Sequence, residues 1–318
     1  MANTTYGRAN VGAGESVIEW LLDSDAVIRW QVKRDLLDES PNAVAMERSR
    51  IEAEGWGCRL LDLQAADGHW GGRSYVCPGW TSTTDSVSLL REWGVDPQGE
   101  RAQSAIRLVR DRCTWGPQFG NSPFFEGEDE PCINGRVLAA GAYFGQASQR
   151  LVERLLSEQL QDGGWNCDPK SQRSSFHSTI CVLEGLLEFE RASANEVIPA
   201  VADARIRAQQ YLLERRMFRS LSTGEVIDAD WTQISFPTRW HYDILWGLDY
   251  LRRAGLKPDQ RVAEAIALLE KKQDDAGRWP LENNHAGKVH FELESADNPS
   301  RWNTLRALRV LRWYSTCE

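Results

Sequence analysis

Positive charge is what this sequence is short of. Its 318 residues carry 37 lysines and arginines against 46 aspartates and glutamates, a net charge of -9. A nucleic-acid binder needs a basic footprint, and docking on anionic lipid needs clustered Lys and Arg, so both classes are disfavoured. Long apolar runs are missing too, since none approaches the roughly 18 residues of a membrane-spanning helix. Cysteine is scattered, at positions 58, 77, 113, 132, 167, 181 and 317. The count is odd and no Cys-x-x-Cys pair occurs, which argues against a disulfide framework and for a reducing cytoplasm. Residues 1–15 lack the apolar core of a signal peptide. They are expected to form a flexible tail ahead of one domain over residues 16–318, because no linker divides the rest. There is no Gly-rich phosphate loop, no nucleophile elbow and no Asp-Asp-x-x-Asp magnesium motif. Strand-like alternation is confined to short pieces near 221–230 and 289–293.

Tryptophan is plentiful, with 14 residues, and each offers a large apolar surface plus one N–H that wants a partner. Three of them close a repeat. Gln64-Ala-Ala-Asp67-Gly68-His-Trp70 is its first copy and Gln159-Leu-Gln-Asp162-Gly163-Gly-Trp165 its second. Gln273-Asp-Asp-Ala276-Gly277-Arg-Trp279 is the third, with alanine in the Asp place. The Asp-Gly pair is a turn signal. Each copy follows a segment of helical spacing, such as Leu151, Leu155 and Leu156 before the second, or Val262, Ile266 and Leu269 before the third.

A second set of segments alternates with these, beginning near Trp30, Trp80, Cys132, His177, His241 and Trp302. Most are apolar on more than one face, the mark of a buried helix. Their starts lie far enough apart for one helix pair each. Six buried helices alternating with amphipathic ones predict an all-α fold, an α/α toroid (an α6/α6 barrel of inner and outer helices). The last outer helix is expected to close against the first pair.

The Gln-x-x-Asp-Gly-x-Trp copies resemble the repeats of squalene-hopene cyclases and their toroidal relatives, which include the β subunits of protein prenyltransferases. The resemblance runs from about Trp30 to Trp313. It implies that the repeat Gln caps the next helix and that the Trp stacks beside it. A narrower likeness joins Glu130-Pro131-Cys132 and Phe176-His177-Ser178-Thr179 to the Asp-x-Cys and Tyr-His-Thr-Cys segments that hold the catalytic zinc of the prenyltransferase β subunits. It implies a zinc ion held by Glu130, Cys132 and His177, with Asp129 as a substitute carboxylate. Three protein ligands leave a fourth position for water or substrate, as catalytic zinc requires.

Two parts of the family pattern are missing. The tract before Cys132 is Glu126-Gly-Glu128-Asp129-Glu130, which would repel a diphosphate. The acid motif of class II terpene cyclases has only the partial counterpart Asp228-Ala-Asp230, which reads as a polar loop. Among other candidates, His241 is read as a proton carrier near pH 7, or as a packed histidine. Asp85 and Asp243 are read as catalytic acids or as helix-start charges. Trp80, Arg136, Arg239, Trp240, Tyr242 and Trp302 are the expected substrate pocket. Arg306, Arg309 and Arg312 read as a solvated face of the last helix.

The expected function is that of a prenyltransferase- or terpene-cyclase-like enzyme with zinc as cofactor, acting on an isoprenoid-like or thiol-bearing small molecule in a central cavity. Two alternatives stand beside it. One is a toroid that binds a hydrophobic ligand or peptide without chemistry, and the other is a metal-free class II cyclase using Asp228 and Asp230. No oligomeric state is expected from the sequence.

Overall fold

The computed structural model describes residues 16–76, 79–193, 198–296 and 298–317. The tail expected over residues 1–15 lies outside them. The chain is an α/α toroid. Six inner helices line its axis: α2 (Ala26–Asp35), α5 (Thr83–Trp93), α7 (Pro131–Tyr143), α9 (Phe176–Ala192), α11 (Ile244–Arg253) and α13 (Arg301–Tyr314). Six others pack outside: α1 (Val17–Leu22), α4 (Gly55–Asp62), α6 (Glu100–Arg112), α8 (Gln149–Ser157), α10 (Pro199–Glu214) and α12 (Ala263–Glu270). A further helix, α3 (Pro41–Ser49), lies between α2 and α4. No helix among the described residues is long and apolar enough to cross a membrane.

The ring closes through polar contacts as well as apolar packing. Trp30 on α2 donates its indole N–H to the Trp93 carbonyl at the end of α5 (2.8 Å). On the other side Arg309 of α13 reaches Gln31 at 2.8 Å and Asp35 at 3.0 Å, both on α2. Between α7 and α9 the approach is closest, and glycine permits it. A Cβ on Gly135 would stand 2.4 Å from the Cys181 carbonyl oxygen, and one on Gly185 would stand 2.6 Å from that of Gly135. No real side chain tolerates such a distance from backbone, so the two glycines set the spacing of the helices that frame the candidate site.

Tryptophan anchors the repeats. The indole N–H groups of Trp70, Trp165 and Trp279 donate to the carbonyls of Leu60, Leu155 and Leu269, on the outer helix just before each turn. Their backbone N–H groups donate to Thr83, Thr179 and Thr304 on the next inner helix. The glutamines depart from the expected capping role. The Gln64 side-chain N–H₂ donates to the Gly68 and Ala105 carbonyls, and that of Gln159 to the Gly163 and Ala204 carbonyls. Each therefore clips its turn to the following outer helix. In the third copy Asp274 takes over from the missing Asp and accepts from the N–H groups of Ala276 and Arg278.

Strand is scarce. The antiparallel pair β1 (Trp279–Pro280) and β2 (Pro299–Ser300) is the sheet formed by the described residues. The expected piece near 221–230 is reduced to a bridge between Arg219 and Val226, and 289–293 is not strand. The segment 281–296 instead crosses over the N-terminal ends of the inner helices. Its Lys288 carbonyl accepts from the Trp80 N–H at 2.8 Å, and its Ala286 carbonyl from the Trp80 indole at 3.0 Å.

Candidate functional site

Five of the six inner helices begin with a side chain that accepts from the first turn: Asp25, Ser82, Ser175, Asp243 and Ser300. Such caps satisfy orphan N–H groups. Helix α7 is the exception. Glu130 occupies its cap position, with Pro131 behind it, yet makes no cap bond. Its carboxylate lies instead 3.7 Å from the Cys132 sulfur. Cys167, two residues past the repeat Trp165, completes the group: the ligand atoms of Glu130, Cys132 and Cys167 all lie within 4.8 Å of one another.

The two sulfurs of this trio act on one another. Cys167 sulfur accepts from the Cys132 backbone N–H (3.4 Å) at the start of α7 and lies 3.2 Å from the Ser178 hydroxyl. Thiolates are favoured at helix N-termini. The Cys132 thiol, followed by Ser178 and the backbone N–H, pulls the Cys167 thiol below its ordinary value. The same sulfur pair pushes Cys132 up, and burial adds to this. Zinc fits such a donor set, which is two sulfurs and one oxygen with room for a fourth ligand.

His177 is not in this group, although the sequence assigned it there in place of Cys167. It lies in the first turn of α9, where its ring lies 3.9 Å from the Cys181 sulfur one turn on. Trp240 and Trp246 stand 5.9 and 6.4 Å from it, centre to centre. Burial, with Arg136 and His241 adding, lowers its pKa to about 3. Asp129 also turns away, to pair with Arg154 at 3.2 Å. Cys167 is the member of the trio that the sequence reading missed. Its signal was its place just after a repeat Trp, the turn that delivers the chain to the next inner helix.

Beside the sulfurs, four of the five histidines gather at the N-terminal mouth. His241 stacks between Trp240 and His285, at 3.8 Å from each. It lies in the turn before α11 rather than in the helix. His285 meets the Ser235 hydroxyl at 3.2 Å, and His290 meets that of Ser86 at 3.0 Å. Burial lowers all four, with His285 reaching about 4. The imidazoles are therefore neutral at pH 7, and the mouth takes its positive charge from Arg136 and Arg239.

The two candidate acids are engaged. Asp85 is buried, pairs with Arg136 at 2.9 Å and accepts from Ser82 at 2.6 Å. Asp243 caps α11 through the Trp246 N–H at 2.8 Å and accepts from Ser235. Asp228 and Asp230 are exposed, and Asp228 caps a short 3-10 turn.

A cavity of about 560 Å³ is lined by the C-terminal halves of α2, α5, α9 and α11 and extends to Phe236, Thr238, Trp246 and Trp302 near the starts of α11 and α13. Trp302 lines it, and Trp80, Arg136, Arg239, Trp240 and Tyr242 do not. These five belong to the N-terminal side. Arg239, with a left-handed φ of 56°, lies over the Trp80 ring at 5.3 Å. The Tyr242 hydroxyl is spent on the Met217 carbonyl at 2.9 Å, and Trp240 is 39% exposed. The lining is charged where an apolar one was expected. Arg91 and Arg253 converge on Glu184 at 2.9 and 2.7 Å. Arg306 and Arg309, read from the sequence as solvated, are 5% and 7% exposed and face this cavity, while Arg312 is exposed as expected.

No family model matches the chain, and no curated protein matches it either. Solved structures similar to it include a protein from Actinoplanes, at 18% identity and a TM-score of 0.45, over 92% of this chain and 90% of that one. Another is the apo form of the type II terpene cyclase MstE from Scytonema, at 16% identity and a TM-score of 0.45, over 92% of this chain and 89% of that one.

Proposed function

We propose that this chain is a zinc-dependent enzyme of the prenyltransferase and terpene-cyclase type, with the ion held by Glu130, Cys132 and Cys167 at the N-terminal mouth. The observation that carries the proposal is the trio itself: three donor atoms within 4.8 Å, at a helix start whose cap residue does not cap. Glu130, Cys132 and Cys167 would hold the ion, which would supply a Lewis acid able to lower the pKa of a water or thiol beside it.

The chain's own residues do the rest. The Cys132 N–H donates to the Cys167 sulfur and the Ser178 hydroxyl lies 3.2 Å from it, which favours its charged form. His241, neutral and partly exposed, is the imidazole suited to accept a proton at the mouth. Asp85 and Asp243 hold helices in place through their ion pair and cap. A thiol-bearing substrate suits this arrangement better than an isoprenoid one, because most of the residues that line the large cavity are charged.

Elemental analysis of the purified protein and of three variants tests this. Zinc is expected at one ion per chain in the wild type and in His177→Ala, and at none in Cys132→Ser and Cys167→Ser. A metal-free wild type, or a His177→Ala variant that alone loses the ion, overturns the assignment.

A further inference from the structure

The charged cavity supports an inference independent of the sulfur site. Eight arginines and five carboxylates line it, an excess of three positive charges inside a chain whose net charge is -9. Arginines near helix C-termini are in part accounted for by the helix dipole, which favours cations in the last turn. Several others are spent on carboxylates. Arg91 and Arg253 pair with Glu184 and Glu188, and Arg252 pairs with Asp249.

Arg306 fits neither account. It is the sixth of the fourteen residues of α13, well before the last turn. It is 5% exposed and makes no ion pair within 4.0 Å among the described residues, although its charge acts on the nearby carboxylates of Asp243 and Asp249. Its Nη1 donates to the Ser235 carbonyl at 2.8 Å and reaches Asn303 Oδ1 at 3.5 Å, while Nε and Nη2 donate to no protein atom among the described residues. These two nitrogens are not sealed off but open to the cavity, where they are free to meet an anionic ligand. One turn along, Arg309 Nε is buried without a partner, while its terminal nitrogens pair with Asp35 at 3.0 Å and Asp249 at 3.8 Å. Arg48, across the cavity, is bound by neutral oxygens alone, those of Gly94, Val95 and Tyr143. Beneath Arg306 lies a flat apolar floor, with Phe236 stacked on Trp302 at 4.1 Å and the guanidinium 5.9 Å above the Phe236 ring.

We infer that this cavity binds a small molecule bearing a multiply charged oxyanion, with Arg306 as its central donor and Arg48 and Arg309 beside it, and with the ligand's body against Phe236 and Trp302. Planar guanidinium forks match phosphate and carboxylate oxygens in pairs. A net excess of positive charge in a low-dielectric cavity concentrates such a ligand, and the volume lies within the usual range for small-molecule sites.

Calorimetric titration of the full-length wild type with inorganic pyrophosphate and, separately, with citrate tests the inference and separates a phosphate source from a carboxylate one. One of the two is expected to bind at one per chain at low ionic strength. Arg306→Gln is expected to weaken that binding at least tenfold, and Arg306→Lys less so. Because a buried arginine matters to folding, the wild type supplies a second measurement: chemical modification of arginine, mapped by peptide mass. Arg306 is expected to be protected by the bound probe. Absence of binding by both probes overturns the inference, as does binding that leaves Arg306 unprotected.

Discussion

Glu184 is the keystone of the charged end of the ring, and Glu184→Gln tests how much that network contributes. The carboxylate lies on α9, accepts from Arg253 at 2.7 Å on both oxygens and from Arg91 at 2.9 Å, and receives the Trp246 indole at 3.3 Å. Burial alone would raise its pKa, but Arg253 and Arg91 outweigh burial and hold it at about 2, against 4.5 ordinarily. At 1.36 kcal/mol per pKa unit, that difference makes the folded state about 3 kcal/mol more stable. Breaking a buried ion pair by removing one partner costs about 3–5 kcal/mol by mutational experience, a compatible figure. For a chain of 318 residues, about 3 kcal/mol lowers Tm by about 5 °C. The sign with pH follows from the depressed value. The contribution is present in full above 4.5 and is lost as pH falls toward 2. Urea unfolding of the wild type and Glu184→Gln should therefore differ by about 3 kcal/mol at pH 7, and by progressively less below pH 4.5. A difference under about 1 kcal/mol at pH 7, or one that does not change with pH, refutes the reasoning.

Two further outcomes are expected. Gly135→Ala forces a methyl to within 2.4 Å of the Cys181 carbonyl oxygen, and neither backbone can yield without parting α7 from α9. It should cost about 3 kcal/mol, at the upper end of overpacking, and a change within about 0.5 kcal/mol in urea unfolding would contradict it. Gln64→Ala removes two hydrogen bonds and Gln159→Ala three, the third accepted from Arg207, at corresponding positions in the ring. Each should cost about 1–2 kcal/mol, with hydrogen exchange quickening first at the outer helices on either side of the altered turn.

The alternation of inner and outer helices was written in the sequence because helical burial is a local code. Side chains three and four residues apart share a face, so a segment that is apolar all round declares itself inner without reference to its neighbours. The repeat turns were legible for a similar reason, since Asp-Gly and a Trp ten residues past a helix leucine specify a local geometry. Glu130 and Cys132 were also legible as a pair, being two residues apart at one helix start. The third member was settled by tertiary structure. Cys167 and His177 both lie near the start of α9, and the spacing between α7 and α9, held by Gly135 and Gly185, is what brings the sulfur to Glu130 and leaves the imidazole against Cys181. His285 and His290 lie on a segment without periodicity, and nothing local announces that it crosses the mouth. Arg306 and Arg309 read as solvated because charge usually marks a surface. They are buried because closing six helices into a ring turns the inward face of α13 toward an enclosed, charged space, and a sequence window cannot register which way a helix face points once the ring is shut.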